Sequence, residues 1–244
     1  MVLSRAVATT AGPAVQVRLG LLGSFEATID DGPVTLPMST QRLLAFLALH
    51  GRSVLRSFVA GSLWLDSTDD RAAGSLRSSL WRVNREVQFV ETVGEQLRLH
   101  AGVVVDLEAA VEQAERLIDP ANEDCPSPHN FLLRGDLLPD WYDDWVTLER
   151  ERYQQLRIHA LERLSERLLA AGRYGEAAEA GQAAVRAEPL RESAQRLVIR
   201  VHLAEGNQSE ALTQYERFRA LLRDELRLEP SPRMTELVAH LTNS

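Results

Sequence analysis

From Leu63 to Glu86 the chain reads LWLDSTDDRAAGSLRSSLWRVNRE, and its apolar positions Leu76, Leu80, Val83 and Val87 recur at helical spacing. A helix with that stripe buries one side. At roughly 100° per residue, the other side carries Arg71, Ser78, Trp81, Arg82 and Arg85, with Ser75 and Arg77 at its edges. The run Ser67-Thr68-Asp69-Asp70 supplies capping groups and favourable negative charge for its start. Guanidinium groups make paired hydrogen bonds to guanine edges and phosphate oxygens, and serine hydroxyls add short contacts to either. A major groove suits this face. The competing reading is an ordinary solvated arginine face with Trp81 packed inward.

The pattern on either side adds context. Val17–Leu22 and Phe25–Ile29 alternate as short strands, and a third is expected at Val34–Leu36 after the Asp30-Asp31-Gly32 turn. Ser39-Thr40 precede a helix whose stripe is Leu43, Leu44, Leu47 and Ala48, stopped at Gly51. Ser57 is expected to cap a shorter helix ending by Asp66. Beyond the arginine helix, Phe89–Thr92 and Gln96–His100 alternate around Gly94 as a hairpin. Three helices followed by a hairpin is the order of a winged helix-turn-helix, here with a leading antiparallel sheet. In that arrangement the last helix enters the major groove while the hairpin touches the backbone or minor groove. Arg98 on the hairpin becomes a candidate DNA contact, with a solvated strand charge as the alternative. Ser39, Thr40 and Arg42 at the start of the first helix are expected to hold the DNA backbone.

From Asp106 onward strand signals vanish. Asp106 is expected to cap LEAAVEQAERLI, which Pro120 ends, and residues 119 to 130 form a polar loop containing proline and the lone Cys125. FLLRGDLLPDWYDDWVTLERERYQQLR then leads into a long helix, with Trp141, Tyr142 and Trp145 expected to anchor its start in a core. Gly172 aligns with Gly206, and Ala177 with Ala211, a repeat of 34 residues. That is the period of tetratricopeptide helical hairpins. Tyr174, Tyr215 and Phe218 are expected to fill the gaps between paired helices, and the second copy to run on through RFRALLRDELRLEPSPRM until Pro230. The expected layout is a flexible tail over residues 1–14, a winged helix over 15–104 and an all-α helical-repeat domain over 105–244. The fold class is mainly α with a small β part.

Composition narrows the functions. A chain of 244 residues can hold two domains, and 45% hydrophobic with 25% charged residues is ordinary for a soluble globular protein. No apolar run approaches the roughly 20 residues that span a bilayer, and residues 1–14 lack the apolar centre of a secretion signal. A single cysteine allows no internal disulfide, which fits a reducing cytoplasm. The net charge of −8 excludes an indiscriminate coat on nucleic acid but allows a small cationic face on an acidic body. Residues 15–106 carry nine arginines against ten acids, and no lysine occurs anywhere. The carboxylates Asp69-Asp70, Asp143-Asp144 and Glu149 with Glu151 lack a partner motif for acid–base work. His50, His100, His129, His159, His202 and His240 show no metal-ligand spacing, and no phosphate loop is present. No enzyme activity, cofactor or metal is expected.

LWLDSTDDRAAGSLRSSLWRVNRE resembles the DNA-binding helix region of the Streptomyces antibiotic regulatory protein family, whose winged helix is shared with bacterial response regulators. LLPDWYDDWVTLERER, LLAAGRYGEAAEAGQAAVRAEPLRESA and LAEGNQSEALTQYERFRALLRDELRLEPSPRM resemble the bacterial transcriptional activator domain that follows it. The resemblance covers about residues 15 to 243. It implies an activator that binds promoter direct repeats in double-stranded DNA as a side-by-side homodimer. It also implies recruitment of RNA polymerase holoenzyme through its sigma factor, control of a biosynthetic or secondary-metabolite gene cluster, and a place in the cytoplasm with the nucleoid. Larger members add a nucleotide-binding domain, so a chain ending at Ser244 is expected to work without ATP hydrolysis. The alternative is a helical-repeat interaction module whose winged helix has lost DNA binding.

Overall fold

The computed structural model describes residues 15–85, 87–122 and 131–242. The expected tail over residues 1–14, together with Glu86, Cys125 and His129, lies outside the described residues. The chain divides into two compact units, one holding the residues up to Gly20 and Phe25–Val105, the other holding Leu21–Ser24 and the residues from Asp106 onward.

In the first unit β1 (Val17–Gly20), β2 (Glu26–Ile29), β3 (Gly32–Pro33) and β7 (Val103–Val105) form a sheet in the order β3-β2-β1-β7. Asp30 and Asp31, both at positive φ (49° and 64°), make the two-residue turn that joins β2 to β3. That is the twist a tight hairpin requires. The third strand is therefore Gly32–Pro33 rather than Val34–Leu36, because the two-residue turn pairs Gly32 with Ile29 at once. Nor is the sheet purely antiparallel. Val17 to Leu19 pair in parallel with Val103 to Val105, a strand too short to show alternation in sequence.

The helices α1 (Met38–His50), α2 (Arg56–Leu63) and α3 (Asp69–Val83) follow, with β4 (Val54–Leu55) between the first two. The strands β5 (Val90–Val93) and β6 (Gln96–Leu99) form the hairpin, and β4 adds to its β6 edge. Leu43, Leu44, Phe46 and Leu47 of α1 form the core with Val59 and Leu63 of α2, Leu76 and Val83 of α3, and Leu97 of β6. Two expected caps move. The first helix begins at Met38 with Pro37 as its N-cap, and the second begins at Arg56 with Leu55 as its N-cap. In both, the extended backbone ahead of the helix takes over from a side-chain hydroxyl, and Ser39, Thr40 and Ser57 fall inside the first turns.

In the second unit α4 (Asp106–Ile118), a 3-10 turn (Phe131–Leu133) and α5 (Asp144–Ala170) lead into α6 (Tyr174–Ala187), α7 (Glu192–Glu205), α8 (Gln208–Leu226) and α9 (Pro232–Thr242). The short connections fold each helix back on the one before. From α5 to α8 successive helices pack together, with α4 on α5 and α9 on α7 and α8. Gly172 and Gly206, at φ 72° and 89°, end α5 and α7 in the same way. In each case the next amide, Arg173 or Asn207, returns to the carbonyl of Leu168 or His202. The buried Ala177 and Ala211 occupy equivalent places in the following helices. The 34-residue repeat is thus a repeated helix–turn–helix.

Tyr142, the second repeat and Asp106 depart from expectation. Tyr142 is 87% exposed and does not anchor the start of α5. That start is held by buried Val146 and by Arg150, whose guanidinium donates to the carbonyls of Leu137, Leu138 and Trp141. The second repeat does not continue as one helix to Pro230, because Arg227 adopts a left-handed conformation (φ 58°) after Leu226 and the chain restarts as α9. Asp106 does not simply cap its own helix. Its buried carboxylate accepts the backbone N–H groups of Leu21 at 2.8 Å and Leu22 at 3.3 Å, and Arg134 lies 3.7 Å away. Burial pushes this carboxyl above its ordinary value, the two N–H donors and Arg134 opposing the shift.

Candidate nucleic-acid interface

The α3 helix fits its place because Ala72, Leu76, Ser79 and Val83 all face inward. Leu80 is only half-buried, and Val87 lies beyond the helix end, so the buried stripe is shifted from the expected one. Thr68 is the N-cap, and Asp69 and Asp70 fill the first turn, where negative charge meets the helix dipole favourably. Arg71, Arg77, Ser78, Trp81 and Arg82 on the far side are exposed, as is Arg85 just past the C-cap, while Ser75 is half-buried. Trp81 exposes 67% of its surface. It is not packed inward. The Arg85 guanidinium carbon lies 5.9 Å from the centre of the Trp81 ring, within cation–π range. Among the described residues, none of Arg71, Arg77, Arg82 and Arg85 is held in an ion pair.

Asn84 fixes this helix against the hairpin. Its Oδ1 accepts the N–H groups of Phe89 and Val90, each at 3.0 Å, and its Nδ2 donates to the Val90 carbonyl at 2.7 Å. A basic side chain there could accept neither N–H. The role is geometric, and helix periodicity does not reveal it. A second link joins the Arg56 amide, at the start of α2, to the Glu95 carbonyl in the hairpin turn at 2.9 Å.

The hairpin presents Arg98 half-exposed but already engaged. Its Nε donates to Glu91 Oε2 at 2.8 Å, and its terminal nitrogen lies 2.7 Å from the same oxygen. The hydrogen bond from Arg98 holds the Glu91 carboxyl below its ordinary value.

The expected contacts on α1 separate. Ser39 is half-buried in the first turn, Arg42 is half-buried one turn on, and Thr40 is fully buried at 0% exposure. Thr40 packs inside the unit and offers no surface to a DNA backbone, which removes it from the interface. Between α2, the start of α3 and the hairpin turn lies a groove of about 430 Å³ whose lining includes Arg56, Asp69, Asp70, Arg77 and Glu95. Arg56 belongs to no helical stripe or motif that would mark it in the sequence.

An outward cationic and hydroxyl-bearing ridge on the third helix, with a hairpin braced behind it, defines a winged helix-turn-helix joined to a helical-repeat unit. The sequence model described as the bacterial transcriptional activator domain matches residues 131–242. Regulatory protein AfsR of Streptomyces coelicolor is 28% identical over 239 residues, covering 91% of this chain and 24% of the relative. Its Streptomyces griseus counterpart is 25% identical over 215 residues, covering 82% and 22%. The chain therefore spans about a quarter of the length of these curated relatives. A solved structure of Mycobacterium tuberculosis EmbR in complex with a low affinity phosphopeptide superposes with a TM-score of 0.69 at 20% identity. It covers 94% of this chain and 65% of that one, and shows a shared fold. The chain is similar to these transcription regulators of the Streptomyces antibiotic regulatory protein type, and its residues 131–242 match their bacterial transcriptional activator domain.

Proposed function

We propose that the protein is a sequence-specific transcriptional activator whose α3 helix reads promoter DNA in the major groove. The observation that carries this reading is the composition of the α3 ridge, which exposes Arg71, Arg77, Ser78, Trp81, Arg82 and Arg85 opposite the buried stripe. Arginine forks match guanine edges and phosphates, serine meets either, and a helix of this size enters a major groove. An acidic body with a cationic ridge favours oriented docking over diffuse attraction, consistent with a net charge of −8. Arg98 acts at the flank, where its pairing with Glu91 limits what it adds. Ser39 and Arg42 serve as backbone contacts.

The family supports the remaining parts: binding to promoter direct repeats as a side-by-side homodimer, and recruitment of RNA polymerase holoenzyme through its sigma factor. Control of a biosynthetic or secondary-metabolite cluster and a cytoplasmic, nucleoid-associated location belong to the same reading. A winged helix-turn-helix domain over residues 15–104 and an activator domain over 105–244 divide the work.

An electrophoretic mobility shift with Arg82→Ala tests it. Affinity for a selected duplex falls by about 1–3 kcal/mol if Arg82 reads a base. A wild-type protein that retards no duplex would leave the interaction-module alternative standing.

A further inference from the structure

We propose that Trp81 reads the C5-methyl group of thymine, with Gly74 and Ser78 on the same ridge leaving room for base edges to approach; the inference rests on the DNA-binding reading above. Ala72, Leu76, Ser79 and Val83 define the inward direction of α3. At roughly 100° per residue, Gly74 and Trp81 then stand diametrically opposite the core, with Ser78 and Arg85 beside them. This is the line along which the helix would meet a groove floor.

The side chains on that line are unusual for a solvated face. Glycine is among the poorest helix formers, yet Gly74 sits inside a helix of 15 residues. A Cβ placed there would meet nothing nearer than the Arg77 terminal nitrogen at 3.7 Å, so no packing inside the unit demands the glycine. Its absent side chain does lower the ridge. Ser78 keeps the ridge low one turn on, and Trp81 then rises from it with its ring 67% exposed. The Arg85 guanidinium, 5.9 Å from the ring centre, favours one ring orientation without covering it.

A large apolar group placed among arginines and serines needs an apolar partner. In a major groove the base pairs offer one, the thymine methyl, because every other distinguishing group there is a donor or an acceptor. Arg82 and Arg85 beside the indole suit guanine edges or phosphates. The ligand class is thus a duplex in which thymine adjoins guanine.

The test uses a duplex recovered by selection with the whole chain from a random-sequence pool. Each thymine is replaced in turn by deoxyuridine, which keeps the base pairing and removes only the methyl. One or two positions in each half-site should bind about fourfold more weakly, the value of one methyl-sized group leaving water. Trp81→Ala should bind thymine and uracil duplexes alike, while Trp81→Phe keeps part of the preference. The wild-type scan carries the result even if a variant fails to fold. Equal binding of every uracil duplex, or a penalty that survives in a folded Trp81→Ala, overturns the assignment and makes Trp81 a contact for something other than bases. A pool from which no duplex is enriched overturns the DNA-binding reading and this inference together.

Discussion

Glu91 and Arg98 stand directly opposite each other across the β5–β6 hairpin, and the Arg98 Nε donates to the Glu91 carboxylate at 2.8 Å. His100 approaches the other oxygen of that carboxylate at 3.6 Å. One acid thus faces both cation-forming side chains at the end of β6. Because the Arg98 hydrogen bond depresses the Glu91 carboxyl, this pairing persists into more acidic solution than an ordinary carboxylate would allow.

Glu91→Gln should release Arg98 to a DNA phosphate. The expected result is tighter binding to duplexes of any sequence, with a salt slope steeper by about 0.9 in log units, the increment for one added phosphate contact. Fluorescence anisotropy across a salt series measures it. An unaltered slope would mean that the hairpin arginine takes no part in phosphate binding.

Two glycines in helix interiors should respond oppositely to alanine. A Cβ at Gly181 would lie 3.0 Å from Val198 Cγ2 and 3.3 Å from Ser165 Oγ, where α6 crosses its neighbours. Overpacking outweighs the better helix propensity, so Gly181→Ala should destabilise the helical unit by about 1–2 kcal/mol. At Gly74 a Cβ would meet only the flexible end of the Arg77 side chain, at 3.7 Å, and Gly74→Ala should stabilise the winged helix by about 0.5–1 kcal/mol. The same change raises the exposed face of α3 proposed to meet DNA, so affinity for the selected duplex should fall while stability rises. Denaturant unfolding and a mobility shift on the same preparations separate the two effects.

Stability in acid should depend on Glu162. Burial opposes its ionisation, but hydrogen bonds from Arg191 (2.9 and 3.0 Å) and Ser193, with the Arg191 charge, outweigh that and leave the carboxyl below its ordinary 4.5. A carboxyl lowered in the folded state stabilises above its unfolded value, and that contribution is lost as pH falls through the folded value. Glu162→Gln should cost roughly 2 kcal/mol at neutral pH and flatten the loss of stability below about pH 4.5. Asp106 has the opposite sign. Its raised carboxyl gives a contribution present in acid and lost as pH rises through the folded value. Urea midpoints for the wild type and each variant, taken from pH 3 to pH 7, test both signs.

Much of this fold was legible in residue spacing. The arginine helix, the hairpin around Gly94 and the Gly172/Gly206 repeat all leave periodic or turn signals that survive without tertiary context. Features set by distant partners were not legible. The parallel pairing of Val103–Val105 with β1 depends on a strand that starts 86 residues earlier. The Asp106 link to Leu21 and Leu22, and the bracing of the hairpin by Asn84, belong to the same class. Helix starts were misplaced where the backbone ahead of the helix, at Pro37 and Leu55, replaced a polar cap. Thr40 reads as a surface hydroxyl because threonine caps helices well, yet the first turn of α1 rolls it into the core. Trp81 reads equally well as core or surface by spacing, and only its exposure separates the two.

Guanine N7-methylation interference on the selected duplex reports whether the α3 ridge lies in a major groove. N7 lies in the major groove, so with the ridge seated there methylating guanines in two patches about 10 base pairs apart should abolish binding. Interference confined to adenine N3 in the minor groove, or absent from every guanine in a bound duplex, would contradict it.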